Sequence, residues 1–144
     1  MSKLMAAVVM VWVSMPALAE DWVPYRLSPD KAGEPGVKWE IDKDSLRYDG
    51  ERVRYWLRIT TDKPQIMRSD TYPRCKDKAV IALYSEQESD CAARKISLVG
   101  AKMLCEGNVL VDDPGPVQTT PSIPPGLDTG DAFTYCKKWY EVWK

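Results

Sequence analysis

Residues 1–19 have the three-part pattern of a secretory signal peptide, and the export that they predict sets the redox environment in which the chain folds. Lys3 provides the positive start, Leu4–Val13 is an unbroken run of ten apolar residues, and Ala17–Ala19 supplies small residues before a cut at Glu20. Ten apolar residues are too few to cross a bilayer core of about 30 Å as a helix. No cysteine follows the cut, so we expect no lipid anchor.

Four cysteines follow this segment, at positions 75, 91, 105 and 136. Export to an oxidising compartment makes two disulfides the expected state, and the residues alone leave all three pairings open. A zinc site is the competing interpretation, but the chain has no C-x-x-C and no histidine. We therefore predict a single disulfide-braced domain over residues 20–144, with no metal and no cofactor.

Charge argues against nucleic acid as a partner, and hydropathy argues against a second membrane-spanning segment. Lys3 is the one basic residue of the leader, so 19 Lys and Arg face 21 Asp and Glu in the rest of the chain. A net charge near −2 gives no electrostatic reason to expect nucleic acid. No second apolar stretch is long enough to form a transmembrane segment.

Arg52–Thr61 is the clearest predicted strand, because apolar and polar side chains alternate along it. Trp56 shares a face with arginines, so it either stacks with them on an outer face or lies beneath a helix. An Asp-Gly pair before the strand predicts a tight turn. The other predicted strands are residues 22–27, 37–41, 79–91, 95–104 and 109–111, an antiparallel meander of about five or six strands.

The C-terminal part is predicted to cross the sheet and end in a helix. Asp113–Gly126 contains five prolines, which exclude a helix or a central strand. Asp128 or Thr129 can cap a helix that runs to about Val142, with Phe133 and Cys136 on its apolar face. The predicted fold class is α+β, with this helix packed on the sheet.

Three motifs in fixed order resemble the surface-adhesin protein E family of Gram-negative bacteria. The first is Ile41–Ser45, followed by the Asp-Gly turn and Val53–Trp56. The second is Asp90-Cys91 followed by Arg94-Lys95, and the third is Pro121–Gly126 leading to Cys136. Together they cover most of residues 37–136.

The resemblance implies a small antiparallel sheet with a C-terminal helix tied to it by a Cys91–Cys136 disulfide. Cys75 and Cys105 then pair with each other, in addition to the family pattern, and this bond pins the long loop Asp62–Lys78. The resemblance also implies an exported, adhesin-like protein, periplasmic or secreted to the cell surface, whose partner is a host extracellular-matrix or serum protein, or an envelope protein.

No residue is predicted to be catalytic. Without histidine, a Ser-His-Asp or Cys-His site is impossible. Glu86 and Glu88 form the one carboxylate pair that an enzyme acting on envelope polymers could use, and we expect them to be ordinary solvated side chains. Asp42–Ser45 lacks the ligands and glycine of a calcium loop, so local capping is its expected role.

Two groups of residues are candidates for protein binding. Trp56 and Trp143 are aromatic candidates, whereas Trp39 and Trp139 are expected in the core. Arg68, Arg74 and Lys76 form a basic cluster in the long loop.

The sequence favours a non-enzymatic binding protein of the cell envelope. A periplasmic inhibitor or accessory protein, for example one acting on lysozyme, and a structural envelope component are the alternatives. The oligomeric state stays open.

Overall fold

The computed structural model describes residues 21–31, 33–113 and 117–136, which form one antiparallel sheet of eight strands. The strands are β1 Trp22–Pro24, β2 Val37–Asp42, β3 Arg47–Asp49, β4 Arg52–Thr61, β5 Val80–Asp90, β6 Lys95–Cys105, β7 Val109–Asp113 and β8 Gln118–Thr119. The sheet order is β1-β2-β4-β5-β6-β7, with β3 paired to β4 and β8 paired to β6. All pairs are antiparallel, as consecutive hairpins require.

The alternation along β4 divides the sheet into an inner and an outer face. Val53, Tyr55 and Leu57 point to the inner face and are buried almost completely. Tyr25 and Ile41 pack with them to form the main core. The residues between them face outward, so the strand predicted from period-two alternation has the bounds that the sequence indicated.

Strand β3 was absent from the sequence prediction, which placed only a turn before β4. Asp49 and Arg52 face each other across Gly50, whose φ is +59°, so the tight Asp-Gly turn is present. The side chains of β3 are all exposed. Three exposed residues carry no hydrophobic periodicity, so nothing in their sequence marks them as a strand.

The predicted C-terminal helix, and with it the α+β fold class, is wrong. No α-helix is present among the described residues, and residues 129–136 form successive turns. Their backbone bonds span three residues, from Ala132 N to the Thr129 oxygen and from Cys136 N to the Phe133 oxygen. Residues 137–142 of the predicted helix lie outside the described residues. Within the described ranges, no helix has the length and hydropathy needed to span a membrane.

Contacts with Arg26 fix the start of this segment. The Arg26 backbone N–H donates to the Asp131 carboxylate at 2.8 Å, and the Asp131 N–H donates back to the Arg26 oxygen at 2.8 Å. Gly130 precedes this pair with φ +61°. Because the left-handed Gly130 lies in the first turn of the predicted helix, a right-handed helix cannot start at Asp128 or Thr129 and continue through it.

Two disulfides brace the sheet. The family resemblance implied Cys91–Cys136, and Cys75–Cys105 is the pairing that it left for the other two cysteines. Cys91–Cys136 ties the end of the described C-terminal segment to the turn after β5. Cys75–Cys105 ties the long loop to the end of β6. The loop also contains a 3₁₀ turn at Pro73–Cys75 and an isolated bridge between Ile66 and Ala79.

A buried hydrogen-bond network also fixes the C-terminal segment. The Tyr55 hydroxyl lies 3.1 Å from the Tyr25 hydroxyl, 3.2 Å from Ser89 Oγ and 3.3 Å from the Ala132 carbonyl oxygen. Ser89 Oγ also donates to the Ala132 oxygen, and Ser89 is fully buried. Burial raises the pKa of both Tyr25 and Tyr55.

We expect this network to make the fold sensitive to alkali. The unfolded chain releases tyrosine protons near pH 10, whereas the folded chain retains those of Tyr25 and Tyr55, so stability falls as pH rises above about 10. Each retained proton contributes a slope of up to about 1.4 kcal/mol per pH unit. Urea unfolding from about pH 9 to about pH 11 should show a shallower decline for Tyr25→Phe than for the wild type.

The matched control is Ile41→Val, which perturbs the same core cluster without removing a titrating group. Ile41→Val should keep the wild-type pH slope. Equal slopes for Tyr25→Phe and the wild type would show that Tyr25 does not cause the loss of stability at high pH.

Candidate functional site

The outer face of the sheet combines aromatic rings with charges of both signs. Cross-strand register places these side chains together, because Arg54 faces Glu88, Trp56 faces Glu86, and Tyr84 faces both Arg58 and Lys102. We call this surface the charged aromatic face, and it comprises Trp22, Glu40, Arg54, Trp56, Arg58, Tyr84, Glu86, Glu88 and Lys102.

Arg58 joins the first half of this face. Its guanidinium lies 4.4 Å from the Trp22 ring centroid and donates from Nη2 to Glu40 Oε1 at 3.0 Å. Glu40 is buried, so this is a shielded ion pair between β2 and β4. The Trp22 ring also lies 5.9 Å from the Tyr84 ring. The stacking on Trp22 and the ion pair with Glu40 together hold the Arg58 guanidinium in one orientation.

Trp56 occupies the second half, on the outer face that was one of its two predicted positions. Lys102 Nζ lies 5.5 Å from the ring centroid, so lysine takes the place predicted for arginine. Gly100 on β6 makes room, since a Cβ there would lie 3.3 Å from Glu86 Oε2 and 3.8 Å from Trp56 Cη2. The Trp56 backbone N–H donates to Ser45 Oγ at 2.9 Å. Trp56 is therefore fixed by backbone and ring contacts while staying partly exposed.

The Glu86 and Glu88 pair shares one arginine. Arg54 Nη2 donates to Glu88 Oε2 at 2.8 Å, and Arg54 Nε lies 3.7 Å from Glu86 Oε1. The hydrogen bond with Glu88 raises the pKa of Arg54. The two carboxylates are more shielded than the sequence indicated, with 24% and 18% of their side chains exposed. Their contacts are those of ion-pair acceptors on a sheet surface.

A cleft of about 470 Å³ lies at the Trp56 end of this face and is also lined by Asp42, Asp44 and Ser45 of the adjacent turn. Asp42 Oδ1 accepts hydrogen bonds from the Asp44 N–H at 3.0 Å and the Asp21 N–H at 3.1 Å. The predicted capping role of this motif is therefore present. Across the described ranges, no group of three or more His, Cys, Asp or Glu side chains could hold a metal ion.

The basic cluster of the long loop lies elsewhere. The loop joins the sheet at Ala79 and the start of β5, whereas Trp56 pairs with Glu86 further along that strand. Arg68 Nη1 lies 3.8 Å from Asp77, Lys76 Nζ lies 2.5 Å from Asp70, and Arg74 Nη1 donates to the Leu110 carbonyl oxygen at 3.4 Å. Trp143 and Trp139 lie outside the described residues. Trp39 packs against the main core, as expected.

Sequence reasoning missed Glu40, Tyr84 and Lys102 of this face, and Gly100 beside it. Tyr84 is in phase with Glu86 and Glu88, so period-two counting along β5 could have placed it on their face. Gly100 and Lys102 required the β5–β6 register, which shifts between Glu86 and Gln87. Such an irregularity has no reliable signal in a single sequence.

The solved structures to which this chain is similar include three of Haemophilus influenzae protein E. Crystal form II is 16% identical, with 76% of this chain and 93% of that chain covered at a TM-score of 0.51. The crystal structure from non-typeable H. influenzae is 17% identical, covering 74% and 77% at 0.49. A further structure is 17% identical, covering 73% and 86% at 0.48. No protein-family model and no curated protein matches the sequence. The similarity to crystal form II shows that the chain has a protein E-like fold, which confirms the resemblance seen in the sequence as a likeness of fold.

Proposed function

We propose that this chain is a non-enzymatic, adhesin-like protein of the Gram-negative cell envelope that binds a host extracellular-matrix or serum protein. The observation that carries the proposal is the charged aromatic face, where Trp22, Trp56 and Tyr84 lie among three cations on one partly exposed sheet surface. The likeness of the chain's fold to protein E and the resemblance of its sequence to the surface-adhesin family support the same role.

The chemistry of this face suits protein recognition. Trp, Tyr and Arg are the residues that most often dominate binding energy at protein interfaces. Here their side chains are already oriented by the Arg58–Glu40 and Arg54–Glu88 pairs, so binding would order few additional rotamers. Because the surface carries both signs of charge, it favours a partner with a patterned polar surface over a uniformly charged polymer.

Binding to a panel of immobilised extracellular-matrix and serum proteins tests the proposal. The oxidised chain without residues 1–19 should bind at least one member, and Trp56→Ala should weaken that binding by about 30-fold. Val117→Ala is the control, since Val117 is 62% exposed and lies outside the charged aromatic face. Binding to no member, or equal binding by both variants, would contradict the proposal.

Export is the second part of the proposal and rests on the sequence. Residues 1–19, which carry the signal-peptide pattern, lie outside the described residues. Two disulfides in a chain of this size suit an oxidising compartment, which supports export. The domain that we propose for the exported protein spans residues 20–144.

A further inference from the structure

The cleft at the Trp56 end of the charged aromatic face has the size of a small-ligand site. Its volume of about 470 Å³ lies within the range of about 300–1,000 Å³ that is typical of ligand pockets. Its lining combines the turn at Asp42–Ser45 with Arg47, Arg54, Trp56 and Glu86. The unused hydrogen-bonding groups and the charges of these residues decide which ligand fits.

Hydrogen bonds hold the turn against β4 before any ligand binds. Ser45 Oγ donates to the Asp42 carbonyl oxygen at 2.6 Å and accepts from the Trp56 backbone N–H at 2.9 Å. Asp42 Oδ1 accepts from the Asp44 N–H at 3.0 Å. A cleft formed in advance limits the ordering cost of binding.

The two aspartates of the turn retain acceptor oxygens for a ligand. Asp44 is exposed, and its carboxylate accepts no hydrogen bond and forms no ion pair within the described part of the chain. Asp42 accepts its two hydrogen bonds through Oδ1, which leaves Oδ2 without a donor among the described residues. A carboxylate has about four lone-pair sites, so both side chains have spare capacity.

The arginines of the cleft retain donors. Arg47 donates from Nη1 to the backbone oxygens of Asp44 and Leu46. Arg54 donates from Nη2 to Glu88, and its Nε lies beside Glu86. The remaining guanidinium N–H groups have no assigned acceptor in the described ranges. Because Arg47 faces Arg54 across β3 and β4, the two present these donors to one cleft.

The balance of charge argues against an ionic ligand. Three carboxylates and two guanidinium groups line the cleft, so it has no cationic surplus to attract a polyanion. The guanidinium groups in turn oppose a metal ion, and the described residues hold no group of three or more His, Cys, Asp or Glu that could ligate one. A neutral ligand that both donates and accepts hydrogen bonds is therefore favoured.

A saccharide has these properties. Each of its hydroxyls donates one hydrogen bond and accepts others, which matches carboxylates and guanidinium groups placed side by side. The C–H groups on one side of a pyranose ring form an apolar surface that packs on an aromatic ring. Trp56 is partly exposed and supplies such a ring in the lining.

We infer that the cleft binds a neutral saccharide unit, whose hydroxyls bond to Asp44 and Arg47 and whose C–H surface packs on Trp56. The cleft overlaps the charged aromatic face, so the inference rests on the proposed function and specifies the ligand class of that site. A glycan carried by a host protein and a glycan strand of the cell envelope share this chemistry.

Binding to an array of neutral oligosaccharides built from glucose, galactose, mannose and N-acetylglucosamine tests this inference, with heparin as the sulfated comparison. The oxidised chain without residues 1–19 should bind at least one neutral oligosaccharide and no heparin. Asp44→Ala should weaken that binding by about tenfold or more. Asp70→Ala is the control, since it removes a carboxylate that is 84% exposed and lies outside the cleft. Unchanged near-ultraviolet circular dichroism should show that both variants fold.

Two further arms identify the source of the saccharide. Binding to a panel protein that is lost when its glycans are removed enzymatically assigns the saccharide to the host protein. Binding to purified peptidoglycan strands that Asp44→Ala weakens, with no effect of glycan removal from the panel protein, assigns it to the envelope. Either result supports the saccharide site.

The inference fails if no neutral oligosaccharide or peptidoglycan strand binds, if heparin alone binds, or if Asp44→Ala binds the saccharide as the wild type does. Its failure differs from that of the proposed function. A panel protein whose binding is weakened by Trp56→Ala, but not by Asp44→Ala or glycan removal, would support the adhesin-like role and overturn the saccharide site. Saccharide binding without any bound panel protein would do the reverse.

Discussion

Replacing Gly130 with alanine is expected to lower the free energy of unfolding by about 3 kcal/mol and to loosen the C-terminal segment. Two effects combine at this position. The φ of +61° disfavours any residue with a Cβ atom. That atom would also overlap the Arg26 carbonyl oxygen and lie 2.8 Å from the Ser28 nitrogen. Because all of these neighbours are backbone atoms, no side-chain rotation can relieve the contact.

Gly50→Ala is the matched control for this substitution. Gly50 has nearly the same φ, +59°, but a Cβ atom there meets nothing within 4 Å. Its cost should be only about 1 kcal/mol, the backbone part of the effect. Urea unfolding of both variants measures the difference. Equal destabilisation would contradict the close approach of Gly130 to residues 26–28.

Removing the Cys91–Cys136 disulfide, by replacing both cysteines with serine, is expected to cost about 4 kcal/mol in the chain-entropy model. The bond joins residues 45 positions apart. It anchors the segment whose Ala132 oxygen accepts hydrogen bonds from Ser89 and Tyr55. Loss of the anchor should therefore also weaken the near-ultraviolet circular dichroism of Tyr55 and Tyr135, whose rings lie 6.0 Å apart.

The comparison variant replaces both Cys75 and Cys105 with serine. That bond joins residues 30 positions apart, so its entropic contribution is only slightly smaller. It lies in a second, separate core cluster with Met103 and Val111, so the tyrosine signal should persist. An unchanged unfolding free energy and spectrum for the Cys91 and Cys136 variant would show that the disulfide does not hold this segment.

Six of the eight strands were predictable because their information is local, whereas the short, exposed strands β3 and β8 were not predicted. Along β4, Val53, Tyr55 and Leu57 alternate with polar residues, and one buried face imposes that pattern. The Cys91–Cys136 disulfide was implied by a family resemblance, which left Cys75 to pair with Cys105, since residues alone leave three pairings open.

The C-terminal segment could not be predicted by the same method. Its apolar spacing fits a helix, but Asp131 is bonded to Arg26 and the Ala132 oxygen accepts from Ser89 and Tyr55, all distant in sequence. Such a tertiary contact overrides helix propensity and periodicity, and neither reports it.

The candidate site was only partly predictable for a related reason. Trp56, Arg54 and Arg58 were placed on one face by counting along a single strand. Their partners Trp22 and Lys102 come from β1 and β6 and needed the full sheet register. Surfaces assembled across several strands are therefore harder to predict than the strands themselves.

Protease accessibility in intact cells is the most direct test of the adhesin-like role. The full chain would be expressed in a Gram-negative host, and digestion would be compared before and after permeabilisation of the outer membrane. We expect digestion in intact cells, because an adhesin must reach its host partner. Protection until permeabilisation would place the chain in the periplasm and contradict the adhesin-like role, leaving a periplasmic inhibitor or structural component as the better explanation.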